Sequence, residues 1–101
     1  MYLIQILLPL EDKDGGPFPS EQYSALAQQL TDQFGGVTSF MRSPAEGRWK
    51  QGEETAHDDI VVMEVMITHL DRGWWADLRK RLTREFRQEE IVIRCQPIER
   101  L

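Results

Sequence analysis

The sequence predicts an α+β domain of ferredoxin-like βαββαβ order, a four-stranded antiparallel sheet with two helices on one face. Three observations lead there. Apolar runs of strand length and two segments of helical period follow one another as strand, helix, strand, strand, helix, strand. Two interlocking crossover units of that order, with right-handed connections, leave few competing topologies and place strands one and three at the centre. The chain has 101 residues, 41% of them hydrophobic and 29% charged, which suits one globular domain over residues 1–101 rather than a disordered tail or a membrane protein.

Each element has a local reason. Residues 2–8 are almost continuously apolar and rich in Ile and Leu, and Pro9, which lacks a ladder donor, stops the run. Residues 11–19 collect Asp12, Asp14, Gly15, Gly16, Pro17 and Pro19, the residues of turns. From Ser20 the period becomes helical: Tyr23, Leu26, Ala27, Leu30 and Phe34 share one face, with Ser20 as N-cap and Gly35-Gly36 as the stop. Residues 37–42 form a second strand by β-branched and aromatic content. Residues 43–59 are polar and broken by Pro44, Gly47 and Gly52, which predicts a long hairpin arm carrying Arg48-Trp49-Lys50. Residues 60–68 are the third strand, with a single charge at Glu64. Thr68 or Asp71 caps a second helix whose stripe is Trp74, Trp75, Leu78, Leu82 and Phe86 and which runs to about Glu90. Residues 91–96 make the last strand, closed by Pro97.

Charge and composition remove several functions. Twelve Lys and Arg against seventeen Asp and Glu give a net charge of -5, a field that repels phosphate backbones and anionic membranes. The run Arg79-Lys80-Arg81, with Arg84 and Arg87, lies opposite the apolar stripe, and Asp77 and Glu85 flank Arg81 at four-residue spacing, so it reads as a solvated outer face. No nucleic-acid partner is expected. No stretch approaches the roughly 18 apolar residues of a membrane helix, and residues 1–10 lack the basic leader and cleavage site of a secretory signal, so no membrane partner is expected either. The single cysteine, Cys95, cannot form an intramolecular disulfide or a zinc site and fits a reducing cytoplasm. It shares the parity of Ile91 and Ile93, which predicts a buried thiol.

Catalytic and metal motifs are sparse. His57, Asp59 and His69 imitate a two-histidine, one-carboxylate iron pattern, but an extended strand of about ten residues at roughly 3.3 Å each would hold Asp59 and His69 about 33 Å apart. Asp12, Asp14 and Gly15 imitate a calcium loop, yet Tyr23 stands where the twelfth-position glutamate belongs. No metal or cofactor is expected. No Gly-x-Ser-x-Gly elbow recruits Ser20, Ser24, Ser39 or Ser43.

Strand parity carries the argument furthest. One set, Tyr2, Ile4, Ile6 and Leu8 with Val61, Met63, Val65, Ile67 and Ile91, Ile93, Cys95, is almost wholly apolar and belongs under the helices. The other set is Leu3, Gln5 and Leu7 with Ile60, Val62, Glu64, Met66 and Val92, Arg94, Gln96, joined by Phe40. More than half of it is apolar although it faces away from the helices, which predicts a homodimer through the open faces.

Gln5, Glu64 and Arg94 sit mid-strand on that open face and should converge. They admit two readings: a small-molecule site in which burial raises the Glu64 pKa to that of a general base, or an interface ion pair with Gln5 filling its remaining hydrogen bonds. Phe40 and Met66 on the same face, and Arg48 and Trp49 on the arm acting as a lid, are further ligand-binding candidates, with His57 as a proton donor.

The element order, the doubly apolar central strands, and the stretches Phe34-Gly35-Gly36-Val37-Thr38 and Glu46-Gly47-Arg48-Trp49-Lys50 resemble small uncharacterised bacterial proteins of the dimeric α+β barrel type. At fold level the chain is similar to the antibiotic-biosynthesis monooxygenase superfamily, in which cofactor-free oxygenases, haem-degrading enzymes, muconolactone isomerase-like proteins and ligand binders share one barrel. The resemblance spans nearly the whole chain and implies a homodimer, but no catalytic motif of those groups matches residue by residue. Three functions stay open: a module binding a small organic molecule in a cleft on the open face, a cofactor-independent oxygenase or isomerase with Glu64 as base, Arg94 as anion stabiliser and His57 as proton donor, or a structural protein without a ligand.

Overall fold

A computed structural model describes residues 1–42 and 60–101, with Met41 and Arg42 described through their backbone alone. The elements are β1 (Tyr2–Pro9), α1 (Ser20–Phe34), β2 (Thr38–Arg42), β3 (Ile60–Ile67), α2 (Arg72–Glu85) and β4 (Val92–Pro97). The strands form one sheet in the order β2-β3-β1-β4, antiparallel at every pairing. This is the ferredoxin-like arrangement the element order predicts, with β1 and β3 central.

The helix-side set of strand residues becomes the core. Ile4, Ile6 and Leu8 of β1, Met63, Val65 and Ile67 of β3 and Ile91 before β4 are buried against Leu26 and Leu30 of α1 and Trp75, Leu78 and Leu82 of α2. Each such side chain contributes about 1.5–3 kcal/mol by leaving water. Aromatic pairs close the two ends. Phe34 stacks on Trp75 at 5.0 to 5.1 Å from the two tryptophans, and Phe86 meets Phe18 and Tyr23 at 5.1 and 5.4 Å. The Tyr23 hydroxyl donates to the Pro9 carbonyl at 2.6 Å, tying α1 to the end of β1. Burial pushes that phenol above its usual pKa.

Helix ends follow the sequence in two places and depart from it in two. Gly35 ends α1 in the left-handed region at φ 89°, its N–H on the Thr31 carbonyl. Asp71 caps α2, its Oδ1 accepting the Trp74 N–H at 3.1 Å. Ser20, however, is not the N-cap of α1: Pro19 holds that position in extended backbone with no side-chain cap, and Ser20 is already helical. The Pro19 carbonyl takes the Gln22 N–H at 3.0 Å instead. Helix α2 also stops at Glu85 rather than Glu90. The Gln88 N–H reaches back to Thr83 and the Arg87 N–H to Arg84, a Schellman closure whose left-handed residue is Arg87 at φ 50°. Arg87 is held there by Asp12 at 3.5 Å and by its guanidinium over the Phe18 ring.

Cys95 corrects another expectation, because it is exposed. Its parity is right: it lies opposite Ile4 on β1, on the helix side. But β4 is an edge strand, and at this end α2 leaves an open groove of about 220 Å³ with Trp75, Ala76 and Ile93 along it. Arg81 also departs from a purely solvated outer face, since it is half-buried, pairs with Glu85 at 3.1 Å and donates to Gln29 of α1. The Asp12 segment is a turn, as its glycines suggest: Asp12 Oδ1 accepts from the backbone N–H of Asp14 and of Gly16. Among the described residues no helix is long and apolar enough to cross a membrane.

Candidate functional site

Both helices pack on one face of the sheet, and among the described residues the second face carries none. Its side chains fall in rows across the strands, three of them beyond the Ile60 and Pro9 end. Phe40, Val62, Leu7 and Val92 make an apolar row. Thr38, Glu64, Gln5 and Arg94 make a polar one, and Met66, Leu3 and Gln96 a mixed one. Val62 is buried, but Phe40, Met66 and Val92 are 38%, 51% and 43% exposed.

The polar row is a chain of hydrogen bonds. Gln5 Nε2 donates to Glu64 Oε2 at 2.6 Å, and Arg94 Nε donates to Gln5 Oε1 at 2.8 Å. A carboxylate only accepts and a guanidinium only donates, whereas a primary amide does both, so the order acid, amide, base satisfies each contact. Glu64 and Arg94 are therefore not a direct ion pair within the chain. Their strands lie on either side of β1, two strand spacings or about 9.5 Å apart, and Gln5 is the bridge rather than an accessory. Gln5 and Glu64 are half-buried and Arg94 is exposed. Among the described residues no side chain hydrogen-bonds the second Glu64 oxygen, and none pairs the terminal nitrogens of Arg94.

Glu64 also lines an open cleft of about 940 Å³. It exists because β2 begins at Thr38, opposite Glu64, so Val65, Met66 and Ile67 have no strand on their outer edge. The turn through Gly35 and Gly36 borders the notch, Leu3, Val37 and Met66 supply apolar wall, and His69, Thr68 and Arg100 supply polar groups. Arg100 arrives because the Ile98 N–H donates to the Met1 carbonyl at 3.0 Å, carrying the tail back along β1. The sequence does not mark Arg100, which follows the last strand without any motif. His69 figures there only in a metal pattern, and among the described residues no group of three or more His, Cys, Asp or Glu is placed to hold a metal ion.

Of the sequence candidates, the structure gathers Gln5, Glu64, Arg94, Phe40 and Met66 on one face. Met66 shares the cleft with Glu64, while Phe40 and Arg94 stand outside it. Arg48, Trp49 and His57, with the hairpin arm itself, lie outside the described residues.

No family model matches the sequence, and no curated protein matches it. Among solved structures, a phage SAM lyase in complex with S-methyl-5'-thioadenosine has a similar fold, with a TM-score of 0.63 and 14% identity, covering 94% of this chain and 79% of that chain. The likeness concerns the fold, and that neighbour is a lyase rather than a monooxygenase of the superfamily the sequence resembles.

Proposed function

We propose that the protein is a homodimeric ferredoxin-like module that binds a small organic molecule in the cleft at the outer edge of β3, where it meets the open sheet face. Glu64 is the polar anchor, oriented by Gln5 and through it by Arg94, and Met66 and Leu3 are the apolar wall. One observation carries this reading: a carboxylate fixed through one oxygen by a 2.6 Å hydrogen bond lines a cleft of about 940 Å³. That volume is within the usual range of small-molecule sites, which combine apolar walls with few placed polar groups. The fold neighbour holds a small thioether nucleoside, so this architecture accommodates ligands of such size.

The test is native mass spectrometry of the purified protein, followed by titration calorimetry with S-methyl-5'-thioadenosine as probe. The expected result is a dimer that carries an adduct or takes up the probe saturably, with Glu64→Gln weakening retention about tenfold or more, as loss of a charge-assisted hydrogen bond does. A chain with neither adduct nor saturable uptake would remove the ligand reading.

A further inference from the structure

The polar row contains an asymmetry that bears on how two copies meet. Across the face the charges run negative at Glu64, neutral at Gln5 and positive at Arg94, with Gln5 on the central strand β1. Among the described residues each charge keeps hydrogen-bonding capacity, Glu64 through its second oxygen and Arg94 through its terminal nitrogens. Around them stand Phe40, Met66 and Val92, the large apolar side chains left most exposed on this face.

When two identical sheets stack face to face, the two-fold axis lies in the plane between them. Two limiting directions exist. With the axis across the strands, Glu64 stacks on its own copy and Arg94 on its own copy, which sets like charges against each other. With the axis along β1 through Gln5, left and right exchange: Glu64 faces the partner's Arg94 and Arg94 faces the partner's Glu64. The same rotation keeps the apolar row on the apolar row, so Val62 meets the partner's Val92 and Leu7 meets the partner's Leu7. Aligned sheets pack about 10 Å apart, a gap that an arginine and a glutamate reaching from opposite sides span.

We propose that a second copy of this chain docks on the open face with its two-fold axis along β1, and that Arg94 of the partner subunit completes each Glu64 site. The inference rests on the homodimer reading above and adds its geometry. Because Glu64 lines the cleft, Arg94 of the partner subunit supplies the cationic group that Arg94 of the same chain, committed to Gln5 across β1, does not bring there. A site assembled in this way is occupied by one glutamate and one arginine from different chains, twice per dimer.

Charge reversal tests it. Glu64→Arg makes the row positive at both ends and Arg94→Glu makes it negative at both ends, so either variant alone places like charges in both facing pairs. Analytical ultracentrifugation of the full chain is expected to show a wild-type dimer and each single variant weakened about a hundredfold or more. Far-UV circular dichroism checks that both variants fold. Mixing the two folded variants is expected to restore a heterodimer, and the double variant Glu64→Arg with Arg94→Glu a homodimer, since both arrangements oppose unlike charges again. Rescue separates the interface from the intrachain hydrogen bonds, because each single variant has lost its own bond to Gln5 whether or not it is mixed. Single variants that stay dimeric at wild-type affinity, or a double variant no tighter than the singles, would overturn the axis while leaving the homodimer standing. A monomeric wild type would overturn both.

Discussion

A glutamine between a carboxylate and a guanidinium is bound by the direction of its hydrogen bonds. Gln5 gives Nε2–H to Glu64 at 2.6 Å and takes Nε–H from Arg94 at 2.8 Å, so its amide orientation is fixed by both neighbours. Gln5→Met keeps the length of the side chain and removes both bonds. Each is to a charged group, but Arg94 is exposed, so the expected loss is about 1–2 kcal/mol, read as a lower urea midpoint with unchanged slope. Asp12 shows the same chemistry with backbone donors. The N–H of Gly16, then that of Asp14, holds its carboxyl below the ordinary 3.8, against a smaller opposing effect of burial. A depressed folded pKa means stability that is present above 3.8 and lost as pH falls through the folded value. Asp12→Ala is therefore expected to be less stable than wild type near neutral pH, with the gap closing below about pH 4. Urea titrations at a series of pH values check it, and a gap that stays constant down to pH 2 would contradict the assignment.

At the scale of elements, backbone conformation separates two adjacent glycines. Gly35 has φ 89° and would gain no clash from a Cβ, and Gly36 is equally uncrowded but carries no positive φ. Gly35→Ala is thus expected to cost about 1–2 kcal/mol through backbone strain alone. Gly36→Ala is expected to be neutral or stabilising by up to about 1 kcal/mol, by restricting the unfolded chain. Thermal melts of the pair report the difference directly. Asp71→Ala, which leaves the Trp74 N–H without its cap, is expected to cost about 1 kcal/mol. What the sequence makes legible follows the same physics. Strand faces are readable because side chains alternate, which is why Ile4, Ile6, Leu8, Met63, Val65 and Ile67 are all in the core and why Gln5, Glu64 and Arg94 share the opposite face. Parity names a face but not what lies over it, and Cys95 is exposed for that reason. The end of α2 depends on Arg87 adopting φ 50°, which a long side chain does not signal. The cleft depends on where β2 starts against β3 and on the tail returning past Met1, and both are facts of register that composition does not contain.

For the whole molecule, charge opposes association and apolar surface favours it. Each chain carries -5, so two copies repel at long range, and in the proposed dimer the exposed Phe40, Met66 and Val92 supply the gain that offsets this. Such a balance leaves a thermodynamic signature independent of any spectroscopic view of the interface. If unfolding separates two chains, the midpoint rises with protein concentration by mass action. At about 0.7 kcal/mol per residue, a pair of 101-residue chains unfolds with roughly 140 kcal/mol, which gives a rise of roughly 3–4 °C for each tenfold increase in concentration. Met66→Glu places a charge on the most exposed of these apolar side chains and adds to the net repulsion, without touching the core under the helices. It is expected to abolish the concentration dependence while leaving a folded chain of similar secondary structure. Added salt sharpens the comparison, because it screens the repulsion between two anionic chains and should raise the wild-type midpoint more than that of the variant. A wild-type midpoint that does not move between micromolar and hundred-micromolar protein would mean that folding and association are uncoupled, and the apolar open face would then have to be explained without a second copy.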